Sequence, residues 1–134
     1  MIKNIFNGVS GYISYRGGAS HWTFVMHRVS GLGTLLFLSM HILLESTAHF
    51  APHYYDRLNA GLRNPFALVA EILLAFFVIF HGVNGFRIAY IDLFRKDLWS
   101  LPSGPKTAKA TWIISFILWI PALIIMLLHS LKLI

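Results

Sequence analysis

The chain reads as an all-α membrane protein with three transmembrane helices, and three observations carry that reading. Hydrophobic residues make up 57% of the 134 positions and charged residues only 12%. Mean hydropathy is +0.67, too apolar for a soluble domain of this size. The apolar residues gather into three runs, each long enough for the roughly 20 helical residues that cross about 30 Å of hydrocarbon. The basic residues, which give a net charge of +6, sit at the ends of these runs. They form no patch interleaved with exposed aromatics, so the charge points to orientation in a lipid bilayer and not to nucleic acid.

Residues 1–21, MIKNIFNGVSGYISYRGGASH, lack the basic start, continuous apolar core and small-residue cleavage site of a signal peptide and read as an interfacial arm. The spans are expected at about 22–48, 66–93 and 110–131, within a single membrane domain. His49 and Pro52 close the first span, and the connection STAHFAPHYYDRLNAGLRNP reads as a loop that ends at Asn64 and Pro65. A shorter basic connection, RKDLWSLPSGPKTAK, joins the second span to the third, where Pro121 predicts a kink.

Lys3, Arg16, Arg28, Arg87, Arg95, Lys96, Lys106 and Lys109 fall on one side of this arrangement, and Arg57, Arg63 and Lys132 on the other. That asymmetry places the N-terminus and the second connection in the cytoplasm, or in a mitochondrial matrix, and the C-terminus outside. Trp22, Trp99 and Tyr90 then lie near the inner interface.

The second span contains HGVNGFR, residues 81–87, in otherwise apolar surroundings. His81 lies ~16 Å of helix before Asp92, close to mid-bilayer, where an imidazole is costly unless something binds it. Gly85, at i+4 on the same face, leaves room for a flat, bulky group beside the ring, and haem is such a group, whose iron takes imidazole. The carbonyl of Phe77, one turn back, is placed to accept from the second ring nitrogen, and Arg87 is placed to meet an acidic group such as a haem propionate. The residues leave a second reading open: His81 hydrogen-bonds a neighbouring helix while Gly82 and Gly85 serve close packing.

On the first span His27, Gly31, Thr34, Leu38, His41 and Glu45 recur at spacings of three and four and form one packing face. His41 lies ~20 Å deeper than Arg28. It is either a second haem ligand or the partner of Glu45 one turn on. His27 and Arg28, at the inner edge, are placed for anionic groups or for snorkelling. Measured from Arg28 and Asp92, His41 is ~4 Å deeper than His81; measured from Arg87, ~10 Å. Both one shared haem and two separate haems remain open on that arithmetic. His49, His53 and His129 read as interfacial, and Glu71 as the partner of Arg63. With no cysteine, the chain holds no iron–sulfur cluster through thiolates, no disulfide and no zinc–thiolate site. No GxGxxG stands on a strand–turn–helix unit, so neither flavin nor a dicarboxylate substrate has a domain here.

The sequence HR-VSG at 27–31, and the pattern of His81, Gly85, Arg87 and Asp92, resemble the cytochrome b membrane anchor of succinate dehydrogenase (succinate:quinone oxidoreductase). The resemblance runs over the whole chain. It implies a haem-binding helical bundle completed by a second anchor subunit, docked to an iron–sulfur subunit and a flavoprotein subunit, with quinone as the electron acceptor. The chain would serve as a subunit of the enzyme and would not oxidise succinate alone. By the same resemblance His81 is an axial ligand of haem b, His27 and Arg28 approach propionates, and Arg28 borders the quinone site. Two-haem members of the family use a ligand on each of the first two spans, so His41 becomes the ligand of a second haem, nearer the outer side. A bacterial cytoplasmic membrane is the expected location, ahead of a mitochondrial inner membrane. The sequence departs from the family at Phe24, where many members carry a quinone-contacting serine; Trp22, Thr23 and Ser30 are the nearby alternatives. Anchors of hydrogenase or formate dehydrogenase, and a haem-free structural anchor, are the rival readings.

Overall fold

In the computed structural model, residues 8, 10, 11, 18–62, 64–99 and 104–131 are described. They form helix α1 (Gly18–Phe50), helix α2 (Pro52–Leu62), helix α3 (Pro65–Phe94), a short 3₁₀ turn (Lys96–Trp99) and helix α4 (Gly104–Ser130), with no strand among them. Helices α1, α3 and α4 are each long and apolar enough to cross a membrane. Each begins ahead of the expected span, by four, one and six residues, and ends within two residues of it. Residues 18–21, expected in the arm, belong to α1; residues 1–7, 9 and 12–17 of that arm lie outside the described residues.

The first connection is helical where a loop was expected. Pro52 is the first residue of α2, a position that needs no backbone N–H and suits the fixed φ of proline, so the residue read as a breaker is a starter. Tyr54 and Tyr55 donate their backbone N–H groups to the carbonyl of Ala51 and close the first turn. The same inversion applies at Gly104–Pro105, where α4 begins six residues ahead of the position expected from hydropathy. Asn64 caps α3, its side-chain oxygen accepting from the N–H of Ala67 at 3.0 Å, with Pro65 following at the first position. The last helix continues through Pro121 to Ser130.

At the exit of α3 an exposed ion pair joins Arg95 to Asp97 at 3.0 Å, and the guanidinium holds that carboxyl below the usual carboxylate range. The indole of Trp99 donates to Asp92 at 2.8 Å, fixing the 3₁₀ turn against α3.

Packing is uneven along the helices. The buried residues are Thr23 and Ser30 on α1, Phe76, Phe80, Asn84 and Ile91 on α3, and Ala108, Thr111 and Ser115 on α4. All but Phe76, which lies near the middle of α3, fall toward the end where α3 turns into α4. At the other end α1 stands clear, with each residue from Leu35 to Leu43 exposed. The face running from His27 to Glu45 therefore packs through Thr34 and is open from Leu38 on.

Small hydroxyl and amide side chains let the helices approach closely at the packed end, the usual device where lipid gives apolar side chains no reason to leave it. Across that end Trp112 donates its indole N–H to the hydroxyl of Thr23 at 2.9 Å, and Thr23 in turn donates to the carbonyl of Ala19. Replacing Trp112 by Phe removes this link between α4 and α1. The expected cost is ~0.6 kcal/mol, typical of an interhelical hydrogen bond in a membrane. It should register as a small drop in the thermal midpoint of the purified complex, while an unchanged midpoint would show that the link adds nothing.

Candidate functional site

Two glycines on α1 decide how α1 meets α3. A Cβ at Gly31 would lie 2.8 Å from Cε1 of His81, and a Cβ at Gly33 would lie 2.6 Å from Cδ2 of Phe77. Phe77 and His81 are four residues apart and share a face of α3. That face packs onto the bare backbone of α1, and the antiparallel crossing brings His81 level with His27 through Gly31.

The two imidazoles are stacked, with ring centroids 4.1 Å apart and planes within 1° of parallel. His81 places Nδ1 at 3.1 Å from the backbone carbonyl of His27. A carbonyl only accepts, so Nδ1 carries the proton, and Nε2 is left with an in-plane lone pair. The same carbonyl accepts the hydroxyl of Ser30 at 3.1 Å. The carbonyl of Phe77, expected to orient His81 from one turn back, is not its partner; orientation comes from the neighbouring helix because Gly31 lets the ring reach the α1 backbone. Nδ1 of His27 is buried and has no hydrogen-bond partner, an uncommon state for such an atom.

The space beside the pair lies at Gly85. A Cβ there would meet only Cε1 of His27, at 3.9 Å, an ordinary contact. One ring nitrogen is thus a fixed donor, the other is free to ligate, an orphaned polar atom lies alongside, and the next turn carries no side chain. These features fit an axial haem ligand. Among the described residues no group of three His, Cys, Asp or Glu side chains converges to hold a metal ion by protein ligands alone.

The other expected residues are distributed differently. Arg28 is exposed, with Cζ 4.3 Å above the ring of Phe24. The residue that stands in the place of a serine is therefore the platform for the arginine one turn on. Thr23 and Ser30 are sealed within the bundle with their hydroxyls engaged, whereas Trp22 is exposed.

Arg87 is turned away from His81. The two are six residues apart, about 120° around the helix at 3.6 residues per turn. The guanidinium crosses to α4, donating from Nε and Nη2 to Thr107 Oγ1 at 3.0 and 2.9 Å and from Nη1 to Asn84 Oδ1 at 3.2 Å.

His41 lies ten residues beyond Gly31 on α1, or ~15 Å farther along the axis than the level of His81. The depths of ~4 and ~10 Å inferred from flanking charges are too small, because Arg28, Asp92 and Arg87 do not share one plane. The ring of His41 stacks on Phe37, with centroids 5.5 Å apart, and makes no ion pair with Glu45 among the described residues. Phe37 itself borders a cleft with Glu71, Ala75 and Met126 at the open end of the bundle. The expected partner of Glu71, Arg63, lies outside the described residues. His49, His53 and His129 are exposed at the far end of the helices, the first two against Phe50 and Tyr54. The glycine that matters most to His81, Gly31, was legible only as part of a small-residue face, since its importance depends on which α3 residue lies opposite.

Comparison with known proteins accounts for this arrangement. Residues 11–122 match the family described as succinate dehydrogenase/fumarate reductase transmembrane subunit. Over 119 residues the chain is 32% identical to the succinate dehydrogenase 2 membrane subunit SdhC of Mycobacterium tuberculosis, covering 86% of this chain and 82% of that one. Over 76 residues it is 29% identical to the succinate dehydrogenase hydrophobic membrane anchor subunit of Halobacterium salinarum, covering 56% of this chain and 58% of the relative. Three membrane-length helices, a histidine pair where α1 crosses α3, and a match over most of the length lead to one conclusion: the chain is an integral membrane protein of the succinate dehydrogenase/fumarate reductase transmembrane subunit family.

Proposed function

We propose that this chain is a haem b-binding membrane anchor of a succinate:quinone oxidoreductase. It docks an iron–sulfur subunit and a flavoprotein subunit on the side of the α3–α4 connection and shares its haems with a second anchor subunit. The observation that carries this reading is the bond from His81 Nδ1 to the His27 carbonyl, which leaves Nε2 as the ligating atom. His27, whose Nδ1 has no partner, supplies a donor for a propionate, and Gly85 keeps the adjoining turn clear. When bound, haem b supplies one-electron transfer within a medium that otherwise excludes charge.

His41 is the ligand of a second haem in this reading. A separation of ~15 Å along the membrane is too great for the His41 and His81 imidazoles to reach one iron, so each would hold its own haem. The second anchor subunit would complete both sites, and the exposed stretch Leu35–Leu43 is available to it. The arrangement suits a bacterial cytoplasmic membrane with the N-terminus inside, as the basic residues direct.

Pyridine-haemochrome quantitation on the intact complex, normalised to covalently or tightly bound flavin, tests the reading. Two haems b per flavin are expected. One would return His41 to a packing role, and none would leave a structural anchor.

Arg28, exposed and braced by Phe24, is the residue of this chain that we assign to the border of the quinone site. Arg28→Ala is expected to lower quinone reduction about tenfold while succinate oxidation measured with a soluble acceptor stays near normal, the loss of ~1.4 kcal/mol that a charge-assisted hydrogen bond gives. Equal loss of both activities would point to failed assembly.

A further inference from the structure

On the side of α3 away from His81 an open groove of about 580 Å³ runs between α3 and α4 and ends at the 3₁₀ turn. Along α3 it extends from Gly82 to Ile91, ~14 Å at the helical rise. Its walls are mostly apolar, formed by Val83, Phe86, Leu98, Ile114 and the ring of Tyr90, and its polar groups are Arg87, the Tyr90 hydroxyl and two threonines, Thr107 and Thr111. The hydroxyl of Thr111 is spent on the carbonyl of Thr107.

Arg87 is the unusual member. No carboxylate pairs with it among the described residues, and the nearest one along α3, Asp92, accepts from the indole of Trp99. Its three hydrogen bonds leave one N–H on each terminal nitrogen unused, out of the five a guanidinium carries. The partners it has are neutral, so the positive charge is positioned by the fold and not neutralised by it. Cζ of Arg87 lies over the ring of Trp99, 5.5 Å from its centre, at the 3₁₀ turn.

An occupant complementary to these walls has a negative head at Arg87 and an apolar tail running the ~8 Å of helix from there to Gly82. We propose that the groove holds one anionic phospholipid from the leaflet facing the α3–α4 connection, with its phosphate at Arg87 and one acyl chain along Phe86 and Gly82. The groove lies on a face of α3 about 120° from the one that carries His81, so its cation serves a site separate from the histidine pair. A neutral quinone gives the cation nothing to neutralise.

Native mass spectrometry of the purified, delipidated complex, titrated with phosphatidylglycerol or with phosphatidylcholine of the same chains, tests the proposal. Wild-type complex is expected to bind one phosphatidylglycerol per copy of this chain roughly fivefold more tightly than phosphatidylcholine, the effect of one basic residue at a membrane surface. Arg87→Gln is expected to abolish the preference. Gly82→Leu should expel the lipid with the charge intact, since a Cβ there meets nothing within 4 Å and the side chain fills the groove without displacing its neighbours. Arg57→Gln, on α2 at the other end of the molecule, should leave binding unchanged. Equal affinity for the two lipids in the wild type, or undiminished phosphatidylglycerol binding in both groove variants, overturns the proposal. So does a photo-crosslinker at position 86 that labels another protein chain in place of lipid, because the groove is then a protein interface.

Discussion

His81→Ala is expected to halve the haem b content of the purified complex, from two per flavin to one, and to leave the flavin and the set of assembled polypeptides intact. The ring makes one bond to backbone, from Nδ1 to the His27 carbonyl, and one stacking contact with the His27 imidazole. Losing both costs α1 and α3 some packing, but the steric lock at Gly33 against Phe77 remains. Assembly should therefore survive where ligation does not. The haem assigned to His41, ~15 Å away along the membrane, serves as an internal control in the same spectrum. Unchanged haem content would defeat the ligand assignment, and loss of both haems together with the partner anchor would mean that His81 acts through folding.

Gly31→Ala is expected to reduce occupancy of that same haem although it removes no ligand. Its Cβ would lie 2.8 Å from Cε1 and 3.1 Å from Nδ1 of His81, closer than such atoms approach, so the imidazole must move off the α1 backbone. Overpacking of this kind costs about 1–3 kcal/mol in well-packed interiors. Here the displaced group is the one whose orientation the His27 carbonyl fixes. Gly85→Ala supplies the contrast, because its Cβ would make only an ordinary 3.9 Å contact with His27. Haem per flavin should fall from two towards one in the Gly31 variant and stay near two in the Gly85 variant, while Gly85→Leu, which reaches into the cleared turn, should again lower it towards one. Equal behaviour of the two alanine variants would show that glycine at 31 serves packing alone.

Much of the fold was legible in the sequence because hydrocarbon imposes a simple requirement: about twenty apolar residues per crossing and polar punctuation between crossings. The ends were less legible. Pro52 was read as closing the first span and Pro105 fell inside an expected connection, yet each stands in the opening turn of a helix, where proline costs nothing.

For the site, the residue types singled out positions 27, 28 and 81 as candidates, but their mutual positions did not follow from depth arithmetic. Arg28 and Asp92 made poor level marks because the register of α1 on α3 is set by Gly31 and Gly33, a contact between helices that no single-helix pattern contains. Arg87 illustrates the same limit. Its sequence distance from His81 suggested a shared site, whereas its helical angle and the reach of Thr107 carry it to the opposite face.

The stretch Leu35–Leu43, exposed at every position, also bears on how the protein comes to exist in a cell. A copy inserted alone would present Ser39 and His41 directly to acyl chains, and an imidazole has no partner there. Synthesis and pairing are thereby linked: the solitary subunit is a less stable membrane solute than the paired one, and its lifetime in the bilayer should depend on the supply of its companion. Expressed without the other anchor gene, the protein is expected to accumulate poorly and to be cleared faster than the assembled form. On the proposed pairing, the open end of the bundle would act as a checkpoint on stoichiometry.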